Sequence, residues 1–160
     1  ENIRRAFINT IIKENAYKLL YDRYLMPLKL NKIYKSDPTC YRGCGEVGDK
    51  LDIWWTCPQI STLWKDIFRL INQLLQKDIQ PDPQLALLLH KPENLTKTEL
   101  KLCSQICLAT RCGIAKKWKA APPQLEEITA KIWWISTMEK LTALIHHKTD
   151  TYENIWSPWI

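Results

Sequence analysis

Glycine is scarce in this chain, with four residues in 160 against nine prolines. Long apolar runs are missing as well. The longest, residues 85–89, has five residues, far short of the ~20 needed to span a bilayer, so no membrane segment is expected. No charged-then-apolar-then-small leader opens the chain, and secretion is not indicated. Glu1 already falls inside a helical pattern, which suggests a chain cut from a longer one. Internal repeats, low-complexity tracts and strand-like alternation are absent. So are a Walker loop, a nucleophile elbow and a His-Glu-x-x-His helix, leaving little to support catalysis. The adjacent His146 and His147 lie near a helix end, where a positive imidazole meets the helix dipole. Glu126 and Glu127 lie in a first turn, which the dipole also favours. Helix capping accounts for all four.

What remains is enough for a core. The apolar fraction is 46%, with eight tryptophans and six tyrosines, which argues for one folded domain rather than a disordered tail. The net charge of +6 is unevenly spread. Residues 96–120 hold six basic side chains (Lys97, Lys101, Arg111, Lys116, Lys117, Lys119) against Glu99, whereas residues 121–160 are net acidic. A localised positive stretch attracts polyanions, although a solvated helix face would carry the same charges.

Periodicity says mainly α-helix. Apolar residues from Ile3 to about Leu25 (Phe7, Ile8, Ile11, Ile12, Leu19, Leu20) form a stripe that Pro27 ends. A short segment punctuated by Lys29, Lys32 and Lys35 follows. Pro58 suits the first turn of a new helix, whose stripe runs Ile60, Leu63, Trp64, Ile67, Leu70, Ile71 and Leu74. This helix is expected to pack its Trp64 face on the loop before it. Thr96 and Glu99 make a capping box that opens a helix through Cys103, Cys107 and Ile114, and Pro122-Pro123 precedes a last long helix from Leu125 to Ile145. A tail with Trp156 and Trp159 is expected to fold back. Neighbouring side chains cannot face one direction, so at least one member of Trp54-Trp55 and of Trp133-Trp134 is expected to be buried.

Three of the four glycines, Gly43, Gly45 and Gly48, fall among three cysteines in Cys40-Tyr-Arg-Gly-Cys44-Gly-Glu-Val-Gly-Asp-Lys-Leu-Asp52-Ile-Trp-Trp-Thr-Cys57. Glycine lets the backbone turn tightly around a small centre, and closely spaced thiolates are what a structural zinc ion needs. The pattern reads Cys-x3-Cys-x7-Asp-x4-Cys, which makes Asp52 a candidate fourth ligand. His90, His146 or His147 could swing in instead. Lys50 or Arg42 could offset the excess negative charge of three thiolates and a carboxylate. A Gly-rich turn with three buried thiols and an exposed aspartate is the plainer alternative. Cys103, Cys107 and Cys112 read as small core residues of a chain in a reducing compartment.

This stretch resembles the cysteine-rich C-terminal segment of the reverse-transcriptase polyprotein of non-LTR, long interspersed retrotransposons. There the pattern is Cys-x3-Cys-x7-His-x4-Cys, so Asp52 stands where the family has histidine. The likeness extends to Ala16-Tyr-Lys-Leu-Leu-Tyr-Asp-Arg-Tyr-Leu-Met-Pro-Leu-Lys-Leu30, Trp54-Trp55-Thr-Cys57-Pro58, Leu63-Trp64-Lys65, Asp82-Pro83-Gln84-Leu85 and the Ile155-Trp156-Ser-Pro158-Trp159 ending. It covers nearly all of the chain from about Ala16. The resemblance implies a helical connector (1–36), a zinc-knuckle-like loop (37–60) and a helical C-terminal module (61–160). It also implies a nucleic-acid-binding element of an intracellular protein found in nucleus and cytoplasm, which holds template RNA or target DNA beside the polymerase. Nothing here reads Tyr-x-Asp-Asp, so the segment itself would be catalytically silent.

The expected fold is thus a small helical domain with a Gly-rich cysteine loop and a protruding N-terminal helix. Expected metal ligands are Cys40, Cys44, Asp52 and Cys57, with zinc as the ion. For nucleic acid, Arg111, Lys116, Lys117 and Lys119 cluster toward one helix end with Trp118 nearby. Tyr41, Arg42 and Lys50 on the cysteine loop, and Lys29, Lys32 and Lys35 before it, would extend that surface. A groove of cations with Trp118 or Tyr41 as a stacking platform suits single strands. Two alternatives stand beside this reading. One is a protein-docking module with no nucleic-acid contact, packed on the polymerase or a host protein. The other is a host-adopted or decaying copy in which Asp52 marks a lost metal site.

Overall fold

A computed structural model describes residues 10–117 and 119–160, with side chains from residue 13 onward. Ile3, Phe7 and Ile8 of the expected first stripe, and Trp118, lie outside the described residues. Helices make up 65% of the described residues, with no strand among them, as the periodicity implied. The elements are α1 (Thr10–Leu20), α2 (Pro27–Tyr34), a π-helical turn (Asp52–Thr56), α3 (Pro58–Leu75), α4 (Pro83–Leu88), α5 (Lys97–Lys116), α6 (Leu125–Ile145) and α7 (Thr149–Trp156).

Helix α5 is the axle. It touches α1, α3, α4, α6 and α7, and its side chains are buried from Leu102 through Cys112, with Ile114 beyond. A helix surrounded on all sides must be tolerant of close neighbours, and α5 meets this with small residues: Cys103, Ser104, Cys107, Ala109, Thr110 and Cys112. Its start is fixed by the expected capping box, with the Glu99 amide donating to Thr96 Oγ1 (3.2 Å) and the Thr96 amide to Glu99 Oε2 (2.8 Å). Lys77 at the end of α3 joins the same carboxylate at 2.7 Å, tying α3 to α5.

One proline acts differently from expectation. Pro27 does not merely stop a helix; it occupies the first turn of α2, where its missing N–H costs nothing. The expected first helix instead ends at Leu20, and Asp22 takes a left-handed conformation at φ 52°. Over its described residues α1 does not protrude, because Ala16 and Leu19 are buried where it lies against α5. The run at 85–89 is helical as α4, opened by Asp82 accepting from the Gln84 amide (2.9 Å).

The C-terminal tail does fold back. Helix α7 packs on α5 and α6, with Trp156 fully buried and its indole N–H donating to Glu139 Oε2 at 2.8 Å. Gln105 of α5 donates to the other carboxylate oxygen, and Ser136 pairs with Tyr152 at 2.8 Å. Burial raises the Glu139 carboxyl above the usual carboxylate range, while the Trp156 bond opposes that rise. Trp54 is buried and Trp55 half-buried, as expected, but both members of the second pair, Trp133 and Trp134, are exposed. Helix α6 shows α5 the row Ile128, Ile132 and Ile135 instead, and adjacent tryptophans straddling the opposite side both miss the core.

Arg111 is the costly residue of this arrangement. It is 2% exposed, its Nε has no hydrogen-bond partner, and burial lowers its pKa to about 10. At neutral pH the guanidinium is charged in both folded and unfolded chains, so its desolvation cost is fully present and is relieved only above about pH 10. Arg111→Met, which keeps the volume and removes the charge, is expected to stabilise the chain by about 1–2 kcal/mol. Thermal unfolding followed by circular dichroism checks this; a lower melting temperature would mean that the charge has a compensating partner.

Candidate metal centre

The cysteine segment is a knuckle held at both ends. Its base is a single antiparallel bridge between Thr39 and Val47, with the Cys40 amide donating to Glu46 O (2.9 Å) and the Gly48 amide to Pro38 O (2.8 Å). Between them the chain reverses through Gly43 (φ 71°) and Gly45 (φ 87°), left-handed conformations that L side chains adopt at a cost. Gly48 is required for space, since a Cβ there would meet Pro27 Cγ at 2.6 Å. That contact seats α2 against the knuckle, and the Leu28 amide adds a bond to Gly48 O (3.2 Å).

The far side of the site comes from the π-helical turn. The Asp49 carboxylate caps it by accepting from the Asp52 amide (2.8 Å), and the turn closes with the Cys57 amide donating five residues back to Asp52 O (3.0 Å). Such a widened turn is rare and is found mostly at functional sites. Here it sets Asp52 and Cys57 on the same side. Pro58 then starts α3 directly, as expected, so Cys57 sits at that helix's N-terminus. The Trp64 indole of α3 donates to Trp54 O (2.8 Å), locking helix to turn as the Trp64 stripe implied.

The four expected ligands converge. Cys40, Cys44 and Cys57 Sγ and an Asp52 oxygen all lie within 4.8 Å of one another, an arrangement that can hold a metal ion. Cys40 and Cys57 Sγ are 4.0 Å apart, and Cys44 Sγ is 3.5 Å from Asp52 Oδ1. Asp52 is not the exposed aspartate of the plainer alternative. It is 4% exposed, and its Oδ2 is buried with no hydrogen-bond partner. An orphaned buried carboxylate oxygen costs several kcal/mol unless something cationic satisfies it. The histidines do not compete: His90, His146 and His147 are exposed, and none belongs to the cluster.

Burial pushes the Cys40 thiol up to about 12, with the Asp52 carboxylate adding to the shift, and burial likewise raises Cys44. The Cys40 and Cys44 thiols are therefore held protonated until a cation arrives. Neither Arg42 nor Lys50 supplies that cation as expected. Arg42 donates to Ile53 O and Ala120 O (3.0 Å each), pinning the knuckle to the loop after α5. Lys50 Nζ bonds Leu19 O at 2.5 Å, capping the end of α1.

The expected nucleic-acid residues divide accordingly. Arg111 is buried in the α1–α5 interior and cannot reach a polyanion, which corrects its placement on the surface. Arg42 and Lys50 are committed to backbone carbonyls. Lys29 bonds Asp22 O (2.7 Å), and Lys117 pairs with Glu127 at 2.9 Å. Lys32 on α2 and Lys35 just after it, and Lys116 at the end of α5 and Lys119 beyond it, are exposed. Lys119 Nζ sits over the Tyr41 ring, 5.4 Å from its centroid, so the knuckle and the loop after α5 do share a surface. The Tyr41 hydroxyl reaches back to Leu25 O (3.4 Å), leaving its ring at the edge. Arg42's bond to Ala120, the contact that joins these two segments, was not legible in sequence. No known protein-family model matches this chain, and among the described residues no helix is long and apolar enough to cross a membrane.

Cys103, Cys107 and Cys112 are buried in α5, with their thiols raised by burial, Cys103 to about 12. Thiolate is the reacting species. Brief labelling of native protein with an alkylating reagent is expected to modify Cys44, the one half-exposed thiol, and to leave these three unmodified until the chain unfolds. Peptide mass mapping reads the sites; early label on any α5 cysteine would contradict the packing.

Proposed function

We propose that this chain is a nucleic-acid-binding module from the C-terminal region of a non-LTR retrotransposon reverse transcriptase, with zinc held by Cys40, Cys44, Asp52 and Cys57. The observation that carries the reading is the convergence of the three sulfurs and the unpartnered Asp52 carboxylate on one point, at the spacing of the retrotransposon pattern. Tetrahedral zinc with bonds of about 2.3 Å to sulfur and ~2.0 Å to oxygen needs sulfur pairs roughly 3.8 Å apart and sulfur–oxygen pairs about 3.5 Å apart. Two of the six pairs, at 4.0 Å and 3.5 Å, lie near those values, and all four atoms lie within 4.8 Å of one another. When bound, zinc would hold the thiols as thiolates and close the knuckle. The resulting site carries excess negative charge, so it is structural in character and the binding surface lies beside it.

That surface is Tyr41 and Lys119, with Lys116 at the end of α5, Lys32 on α2, which abuts the knuckle, and Lys35 just beyond it. Zinc would fix the Tyr41 backbone, Arg42 fixes the loop carrying Lys119, and the cations meet phosphates beside the Tyr41 ring, which Lys119 covers on one face. Such contacts carry little base information, so binding is expected to be sequence-tolerant. The module would hold template RNA or target DNA during target-primed reverse transcription and perform no chemistry itself, in a protein working in nucleus and cytoplasm. A docking module is the second reading, favoured by one observation: a broad exposed apolar face on α6.

Filter binding of single-stranded RNA by zinc-loaded protein tests the first reading. Affinity is expected to fall steeply with salt, and Lys116→Glu with Lys119→Glu is expected to lower the log–log slope by about 1.4, at ~0.7 per phosphate contact on single strands. Absent or salt-insensitive binding would overturn it. Asp52→His is expected to raise zinc affinity and leave RNA binding intact, since imidazole removes one excess negative charge. No gain in zinc affinity would mean that position 52 is not a ligand.

A further inference from the structure

Helix α6 is apolar on two sides. Ile128, Ile132 and Ile135 face the core, whereas Trp133, Trp134, Met138, Leu141, Leu144 and Ile145 are 38–74% exposed on the other side. Trp134, Met138, Leu141 and Ile145 follow one another at helical spacing, so they form a stripe rather than scattered contacts. Thr137 is the one polar side chain within it, and its hydroxyl is already satisfied by Trp133 O at 2.9 Å. Trp159 extends the patch by packing on Trp133 (5.5 Å between centroids). Two half-exposed tryptophans and four aliphatic side chains together reach the ~300–600 Å² that is the most a typical monomer leaves open.

We propose that a second copy of this chain covers the face, with α6 packed on α6 in an antiparallel two-fold arrangement and Thr137 and Met138 at the axis. The charges at the two ends select both partner and direction. Glu126 and Glu127 mark the N-terminal turn, and His146, His147 and Lys148 mark the C-terminal end. Antiparallel pairing centred on Thr137 sets the acidic first turn with Glu126 and Glu127 across from the C-terminal end that Lys148 follows, twice over by symmetry. A parallel pair would stack acid on acid, cation on cation and dipole on aligned dipole. Glu127 already pairs with Lys117, so Glu126 and Lys148 carry most of the selection. Shape follows the same register: Trp133 meets Leu141, and the small Ala130 meets Leu144, alternating large and small across a ~20° crossing. With roughly 800 Å² per partner typical of stable pairs, this face supports a reversible dimer.

Sedimentation of the 160-residue chain across a wide concentration range tests the proposal. A concentration-dependent dimer is expected. Met138→Glu is expected to abolish it by setting two carboxylates together at the axis, without lowering the melting temperature, because Met138 is exposed. Leu141→Lys is a second disrupting variant should the first fold poorly. Glu126→Lys and Lys148→Glu are each expected to weaken the dimer about two- to fivefold per pair, and an equimolar mixture of the two to restore it. A chain that stays monomeric, a dimer that survives both disrupting variants, or a mixture that fails to recover would each overturn the proposal.

Discussion

A carboxylate buried among three sulfurs, with one oxygen left unpaired, is the constraint from which the knuckle takes its form. Among Trp54, Ile53 and Cys57, Asp52 Oδ2 has no hydrogen-bond partner. The two nearest cationic side chains on the same segment are spent elsewhere, Arg42 on Ile53 and Ala120 carbonyls and Lys50 on the end of α1. A site whose own cations bond backbone carbonyls while its carboxylate stays inward calls for a cation from outside. The rest of the local structure serves this arrangement: left-handed glycines to close the loop, a widened helical turn to bring Asp52 beside Cys57, and Pro58 to start α3 at once.

The same cross-links explain how a small loop can organise a binding surface. Arg42 joins the knuckle to the segment after α5, Gly48 admits Pro27 and with it α2, and Trp64 clamps the π-helical turn to α3. Each is a short-range contact between a segment of the loop and a different helix. The orientation of Tyr41, and of the cations around it, therefore depends on the knuckle being closed. Loss of the closing ion would be felt at α2 and at the Lys119 loop before it reached α5, which is held by its packing and by the Lys77–Glu99 and Gln105–Glu139 contacts.

Much of this was legible in sequence, and what was not has identifiable causes. The helical stripes, the Thr96–Glu99 box, Pro58 at a helix start and the convergence of four ligands all rest on local spacing, which a chain shows directly. Arg111 was misplaced because periodicity cannot tell a helix with one covered face from one covered on every side, and α5 is the latter. Pro27 was read as a stop because it follows a long stripe, although the same ring can open a helix. The Trp133–Trp134 pair defied the rule that one neighbour must be buried, since α6 had isoleucines to spare for its inner row. Arg42 was read as a phosphate contact because its acceptor, Ala120 O, lies far away in sequence.

X-ray absorption at the zinc edge on protein purified with zinc is the most direct measurement of the account. One ion per chain is expected, with three sulfur scatterers at about 2.3 Å and a single light atom at ~2.0 Å, and the outer-shell scattering of an imidazole ring appearing in Asp52→His. A chain that retains no zinc, or an Asp52→His spectrum without imidazole scattering, would contradict the claim that Asp52 completes the knuckle.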